Sequence, residues 1–122
     1  MASTFAPQIQ TFKADAAISK GMVVKFGTDS KHVAKSALAT NLNIGVAQSA
    51  PTTAEDLVEV ALPGGGAKGL AGGSITKGDL LTSDTAGKMV STTTPGDRVI
   101  GVAMDDASAD DLFDMFVQLS LI

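Results

Sequence analysis

The sequence predicts an all-β fold, a compact β-sandwich or barrel of about ten short strands with an internal two-fold repeat and an N-terminal arm. Short apolar runs rich in Val, Ile and Leu alternate with turn residues such as Gly, Asp and Pro along most of the chain. The segment Ile-Gly-Val-Ala occurs at residues 44–47 and again at residues 100–103. The short runs predict the strands, and the returning segment predicts the repeat.

Neighbouring segments return in the same order and extend the repeat. A Lys-Gly pair precedes an apolar run at residues 20–21 and again at residues 77–78. Apolar segments at 58–62 and 117–121 close the two halves. Matches in register over nearly the whole length indicate a duplication. Two copies are too few for a solenoid, which needs about three stacked units.

These matches divide the chain into an N-terminal arm at residues 1–11, repeat 1 at about 18–62, a Gly-rich connection at 63–73 and repeat 2 at about 75–121. The two repeats and their connection are expected to form a single β domain over residues 12–122.

The first half contains apolar runs bounded by turn residues, which predict strands at 8–14, 22–26, 31–34, 43–48 and 56–62. In the last of these, Val58, Val60 and Leu62 alternate with polar residues and are expected on one buried face. Residues 36–41 predict a single helical turn with Ser36 as its cap.

The second half repeats this pattern, with predicted strands at 79–83, 88–91 and 98–104. The connection at 63–73 is expected to be a wide turn or a hairpin built on residues 67–71. The closing strand is expected to place alternate residues on one apolar face, namely Phe113, Met115, Val117, Leu119 and Leu121.

Gly45 and Gly101 occupy equivalent places in the repeated segment. Glycine weakens an apolar strand unless a bulge, a bend or a close backbone approach requires the missing side chain. Its return in both copies predicts a shared geometric reason.

Composition disfavours several classes of function. The chain contains no Cys, so neither disulfides nor thiolate metal sites are expected. Its net charge of −4 and its lack of a basic run oppose binding to nucleic acid. No apolar run is long enough to span a bilayer and the first residues lack the features of a signal peptide, so a cytosolic product is expected.

No motif predicts a catalytic, cofactor or metal site. Gly64, Gly66 and Gly69 match the letters of a dinucleotide-binding loop, but the residues after them cannot open a helix. His32 is the only histidine and has no nucleophile pattern near it. The acidic residues at 105–114 do not have the spacing of a calcium-binding loop and are expected to form a solvated loop or to meet basic residues on a neighbour.

The repeated segments at residues 20–23, 44–47, 77–80 and 100–103 resemble those of a family of small tailed-phage proteins, the capsid decoration or cement proteins. The similarity extends from about residue 12 to residue 121. A recombinase-like label sometimes attached to this family finds no support here, because the phosphate-binding loop is absent and the charge is wrong for DNA.

This resemblance implies a structural virion protein without enzyme activity, which binds the outer surface of the expanded capsid and stabilises the shell. It implies the major capsid protein as partner, a homotrimer on the capsid, and synthesis in the host cytoplasm. No cofactor, nucleic acid or membrane is implied.

The N-terminal arm is the first candidate for contact with the shell. It carries groups that a partner could bury, and the contact candidates are Thr4, Phe5, Pro7 and Ile9. Pairing of the arm with an open strand edge of the shell protein would be β-augmentation. The alternative is an ordinary edge strand or a frayed end.

Two other functions stay open at this point. One is a non-enzymatic β-clip-like or lectin-like binding module on a phage fibre or a bacterial protein, which the absence of Trp and Tyr disfavours. The other is a small hydrolase that uses the C-terminal aspartates, among them Asp110 and Asp111.

Overall fold

The computed structural model describes residues 8–38 and 43–121. Within these ranges the protein is all-β, as predicted, with ten strands and no helix. The strands are β1 (Gln8–Ala14), β2 (Val23–Phe26), β3 (His32–Lys35), β4 (Asn43–Ala47), β5 (Leu57–Leu62), β6 (Gly66–Leu70), β7 (Leu80–Ser83), β8 (Met89–Ser91), β9 (Arg98–Ala103) and β10 (Leu112–Leu121). The described residues include no helix that is long and apolar enough to cross a membrane.

The first five strands close into a barrel in the order β1-β3-β2-β4-β5. Strand β1 pairs antiparallel with β5 from Gln8 to Lys13 and pairs parallel with β3 at Lys13 and Ala14. Residues 8–11, which the sequence assigned to the arm, are therefore part of the barrel, because their backbone is paired with β5. Residues 1–7 of the predicted arm lie outside the described residues.

The last five strands form a second sheet in the order β6-β10-β9-β7-β8. Taken from β8 to β6, this order matches β3-β2-β4-β5-β1 of the barrel, so each strand has a counterpart five places along the chain. A parallel bridge between Ala71 and Met89 corresponds to the parallel pairing of β1 with β3. The predicted internal repeat is thus confirmed, and it extends back to β1.

The Gly-rich segment 63–73 is a strand in its middle part and not a hairpin. Strand β6 pairs with β10 as β1 pairs with β5. A side chain at Gly69 would start 2.9 Å from the Met115 sulfur and 3.0 Å from the Phe113 ring. Glycine is placed here because large inward side chains of β10 fill the space.

The repeated glycines have the shared geometric reason that the sequence predicted. A Cβ at Gly45 would collide with the carbonyl oxygen of Ala61 on β5, and a Cβ at Gly101 would collide with that of Phe116 on β10. In each sheet the closing strand approaches the glycine strand too closely for a side chain.

The Lys-Gly turns are also equivalent. Gly21 and Gly78 have φ angles of 88° and 93°, a region that favours glycine. The Gly21 N–H donates to Ala47 and the Gly78 N–H donates to Ala103, at 2.7 and 2.8 Å.

The core consists of two apolar clusters. One fills the barrel and contains Phe12, Val24 and Val58 among others. The other joins the two sheets, because it groups residues of the barrel such as Val46 with inward residues of the second sheet such as Met115. The first sheet therefore has a core of its own, and the outside of the barrel supplies part of the core of the second.

Two further local predictions, the buried position of Leu119 and the helical turn at 36–41, were wrong. Leu119 was expected on the buried face of β10 but is 44% exposed, because the β10–β9 register shifts between Val117 and Ser120 and breaks the alternation. Phe113, Met115 and Val117, which precede the shift, are buried as expected.

The helical turn expected at 36–41 is absent in its described part, residues 36–38. Ser36 is buried and its N–H donates to the Val23 carbonyl at 2.8 Å, which holds the chain along β2. Residues 39–41 lie outside the described residues.

Candidate interaction surfaces

The outer face of the second sheet carries a row of apolar side chains across three neighbouring strands. Leu80 on β7 is opposite Val102 on β9, and Val102 is opposite Phe116 on β10. We call Leu80, Val102 and Phe116 the outer row. Leu80 is 41% exposed, and the other two are half-buried.

The barrel contains the equivalent row in a different environment. Val23 on β2 is opposite Val46 on β4, and Val46 is opposite Ala61 on β5. All three are fully buried and belong to the cluster that joins the two sheets. We call them the buried row. The fold thus covers this row in one repeat and leaves its counterpart partly exposed in the other.

Two features flank the outer row on β10. Leu112 lies on the same face as Phe116 and is 50% exposed. Between them, Asp114 forms an ion pair with Lys68 on β6, with 2.6 Å between the lysine nitrogen and a carboxylate oxygen. The ion pair lowers the pKa of Asp114, chiefly through the hydrogen bond from Lys68. An apolar row beside charged groups is a common composition for a protein interface.

Of the predicted contact residues, only Ile9 lies within the described ranges. It is on β1 opposite Ala61, so it continues the buried row onto the next strand of the barrel, and it is 41% exposed. Thr4, Phe5 and Pro7 lie outside the described residues.

His32 connects two loops. Its Nδ1 is 2.8 Å from an Asp29 oxygen and its Nε2 is 2.7 Å from a Glu55 oxygen. These hydrogen bonds, first that with Asp29 and then that with Glu55, raise the pKa of His32. Because both ring nitrogens face carboxylates, the side chain joins the β2–β3 turn to the loop before β5.

The second repeat has an equivalent bridge. Lys88 reaches Asp110 with 2.6 Å between the charged atoms. Glu55 and Asp110 both have positive φ angles, 70° and 68°, and both donate their N–H, to Ala14 and Ala71, at 2.7 Å. Sequence reasoning missed these bridges, although an alignment of the two halves would have paired Glu55 with Asp110 and His32 with Lys88.

Four of the C-terminal aspartates bind groups within the molecule, three of them in other segments of the chain. Besides the pairs of Asp110 and Asp114 with lysines, Asp106 accepts a hydrogen bond from the Lys77 N–H at 2.8 Å, and Asp111 accepts one from the Ser108 N–H at 3.2 Å. Within 8–38 and 43–121 no three His, Cys, Asp or Glu side chains come together as a metal site.

Comparison with known proteins gives two matches. A family model described as "Phage cement protein" matches residues 6–119. A solved structure described as the head fiber gp8.5 N base in bacteriophage phi29 has a similar fold, with a TM-score of 0.72 and 23% sequence identity. That alignment covers 96% of this chain and 98% of the phi29 chain. The curated proteins contain no match to this chain.

Proposed function

The chain belongs to the phage cement protein family, and from this premise we propose that it binds the outer surface of the expanded phage capsid and stabilises the shell. Membership makes it a structural protein associated with the phage capsid. The finer statement, that it attaches to the outside after expansion and strengthens the lattice without enzyme activity, is the proposal.

The observation that carries the proposal is the exposure of Leu80 in the outer row. Its counterpart in the barrel is fully buried, so these strand positions suit burial, and Leu80 at 41% exposure has no such cover among the described residues. Contact with the shell, or with a second copy bound to the shell, would remove this apolar surface from water.

Mass action explains how such binding would stabilise the shell. A protein that binds the assembled lattice and not the free subunits shifts the equilibrium toward the lattice. If each copy touches more than one shell subunit, or joins others in a trimer as the family resemblance implies, its contacts act together and the effective affinity increases.

We propose the N-terminal residues as a second contact, with Thr4, Phe5, Pro7 and Ile9 as candidates. Because residues 8–14 are paired within the barrel, a deletion should stop at residue 7. The variant that lacks residues 1–7 is expected to fold and to bind capsids more weakly. Unchanged capsid affinity would contradict the assignment of this segment.

The phi29 structure motivates a second candidate function, the base of a head fibre. That structure is described as the N base of a head fiber, and its alignment covers 96% of this chain. In that case the chain would attach a longer projection to the capsid at a few sites and would not cover the lattice.

One measurement separates the two functions. Quantitative mass spectrometry of purified particles gives the ratio of this chain to the major shell protein. We expect a ratio near one-to-one, and we expect particles without the chain to disrupt at a lower temperature. A few copies per particle would favour the fibre base, and absence from particles would contradict both.

A further inference from the structure

A cleft at the junction of the two repeats contains a buried side-chain amide that has no hydrogen-bond partner in the described part of the chain. The cleft has a volume of about 300 Å³ and is lined by Asn43, Arg98, Val99, Leu119 and Ser120. It lies between the first residue of β4 and the paired ends of β9 and β10, where Val99 is opposite Ser120. We call it the junction cleft.

Burial of the Asn43 side chain is energetically unfavourable unless a ligand forms hydrogen bonds with its amide. The residue is 7% exposed, and among the described residues neither its amide nitrogen nor its amide oxygen has a hydrogen-bond partner. Such groups are rare in folded proteins, because burial removes water from a donor and an acceptor without replacement. The equivalent residue of the second repeat is Val99, which is 2% exposed, so the fold accepts an apolar side chain at this position.

The other end of β4 shows what a side-chain amide can do at this junction. The Gln48 amide donates to the Lys68 carbonyl and accepts from the Lys68 N–H, both at 3.1 Å. It therefore satisfies both backbone groups of one residue in the extended strand β6. Asn43 offers the same donor and acceptor, unused, at the opposite end of the same strand.

Arg98 adds a positive charge to the cleft, which favours a ligand with a negative charge. Among the described residues it has no ion-pair partner, although it lines the same cleft as Asn43. Leu119, at 44% exposure, supplies an apolar wall, and Ser120 supplies a hydroxyl. The cleft thus combines an amide that suits a peptide backbone with a cation that suits a carboxylate.

We propose that the junction cleft binds an extended segment of the capsid shell protein that carries an acidic side chain. The backbone N–H and C=O of the segment pair with the Asn43 amide, and the carboxylate binds Arg98. This inference rests on the proposed attachment to the capsid and adds where and how the shell is held.

The test compares variants of the full chain for binding to expanded heads prepared without it, by co-sedimentation, and for thermal unfolding in solution. Asn43→Val introduces the side chain that the second repeat carries at the equivalent position. We expect its Tm to rise by several degrees, because the unsatisfied amide is gone, and its capsid affinity to fall about tenfold or more. Arg98→Gln should also weaken binding, whereas Lys77→Gln, which removes one charge from an exposed turn, should bind as the wild type does.

A photo-crosslinker at Leu119 of the otherwise unchanged chain identifies the occupant. Crosslinks to the shell protein support the proposal, and crosslinks to a second copy or within the same chain overturn it. A lower Tm for Asn43→Val shows that the amide serves the fold and also overturns it. If the wild type binds and Asn43→Val binds equally well, this inference fails alone. If the wild type does not bind expanded heads, the proposed function fails with it.

Discussion

The two repeats share one strand order but differ in how each obtains a core. The barrel closes through two parallel residue pairs between β1 and β3, whereas the second sheet has a single bridge between Ala71 and Met89 at the equivalent place. The barrel fills its own interior, and the second sheet packs against the buried row on the outside of the barrel. The first half therefore has an interior core of its own, whereas the second half takes part of its core from the outer face of the first.

One residue pair shows how this difference arises. Phe12 on β1 is opposite Val58 on β5, and at the equivalent pair Gly69 on β6 is opposite Phe113 on β10. The aromatic ring has moved to the other strand, and the second pair is smaller by one valine side chain because β6 carries glycine. Because one face of the first repeat is used for packing within the molecule, only the second repeat can present its equivalent row to a partner.

Substitution of the repeated glycines should cause the largest loss of stability, and this loss should be equal in both halves. Gly45→Ala and Gly101→Ala each push a Cβ into a backbone carbonyl oxygen, which cannot move away without disturbing the sheet. We expect each to cost about 3 kcal/mol or more, a fall in Tm of about 10 °C. Thermal unfolding followed by circular dichroism measures this.

Gly73→Ala is the matched control, because a Cβ there has no heavy atom within 4 Å. It should change the free energy of unfolding by less than about 1 kcal/mol. A large loss in only one of the two glycine variants would show that the repeats do not share this constraint.

A polar substitution in the two rows should separate stability from binding. Val46→Ser in the buried row removes apolar contacts and buries a hydroxyl, so we expect a loss of about 2–4 kcal/mol. Val102→Ser at the equivalent position of the outer row should cost about 1 kcal/mol or less, because the site is partly exposed.

Val102→Ser should weaken capsid binding although it hardly changes stability. We expect its affinity for capsids to fall roughly fivefold or more while the fold is retained. Co-sedimentation with expanded heads measures the affinity. Wild-type affinity for this variant would remove the outer row from the contact surface.

The pH dependence of stability, a smaller effect, should distinguish the bridge made by His32 from the bridge between Lys88 and Asp110. The pKa of His32 is raised above its usual 6.5, so its contribution to stability is present below that pH and is lost as the pH rises through the raised pKa. The pKa of Lys88 is raised above 10.5, so its bridge to Asp110 stays charged across the same range. The Tm should therefore fall as the pH rises from the usual histidine value of 6.5 through the raised pKa of His32.

His32→Gln should remove most of this dependence, because Gln keeps hydrogen-bonding groups without a proton to lose. Lys88→Gln should retain it. If His32→Gln kept the full fall in Tm, another group would be responsible for the pH dependence.

Much of this fold could be predicted from local sequence, because most strands are short apolar runs between turn residues. Gly45 and Gly101 could be interpreted correctly because they occur at equivalent positions of the repeat. Strand β6 could not be recognised, because its Gly69 is explained only by Phe113 and Met115 of β10, far along the chain. Leu119 was misplaced for a similar reason, since a register shift with β9 is not a property of β10 alone.

The candidate sites depend still more on tertiary structure. His32 and Glu55 are 23 residues apart, and neither has a recognisable motif around it. Asn43 is an ordinary polar residue at a strand end in the sequence. Its missing hydrogen bonds follow only from the packing of β4 against the ends of β9 and β10.

The smallest effect is expected at a cross-strand pair that differs between the repeats. Lys68 is opposite Asp114 in the second sheet, and Thr11 is opposite Glu59 at the equivalent place in the barrel. Lys68→Thr removes the ion pair from one repeat, and Thr11→Lys introduces a cation opposite an acid in the other. Because these side chains are exposed, we expect Tm changes within about 3 °C, of opposite sign, which fade in high salt.

Titration gives a sharper measure of the same pair. Since Lys68 lowers the pKa of Asp114, the Lys68→Thr variant should show a higher pKa for this carboxyl by NMR. The stability difference between wild type and variant should be present above the usual pKa of 3.8 and should vanish as the pH falls through the lowered value, where Asp114 becomes neutral in both. A difference that persisted in strong acid would mean that Lys68 acts through packing of its aliphatic chain against β10 rather than through its charge.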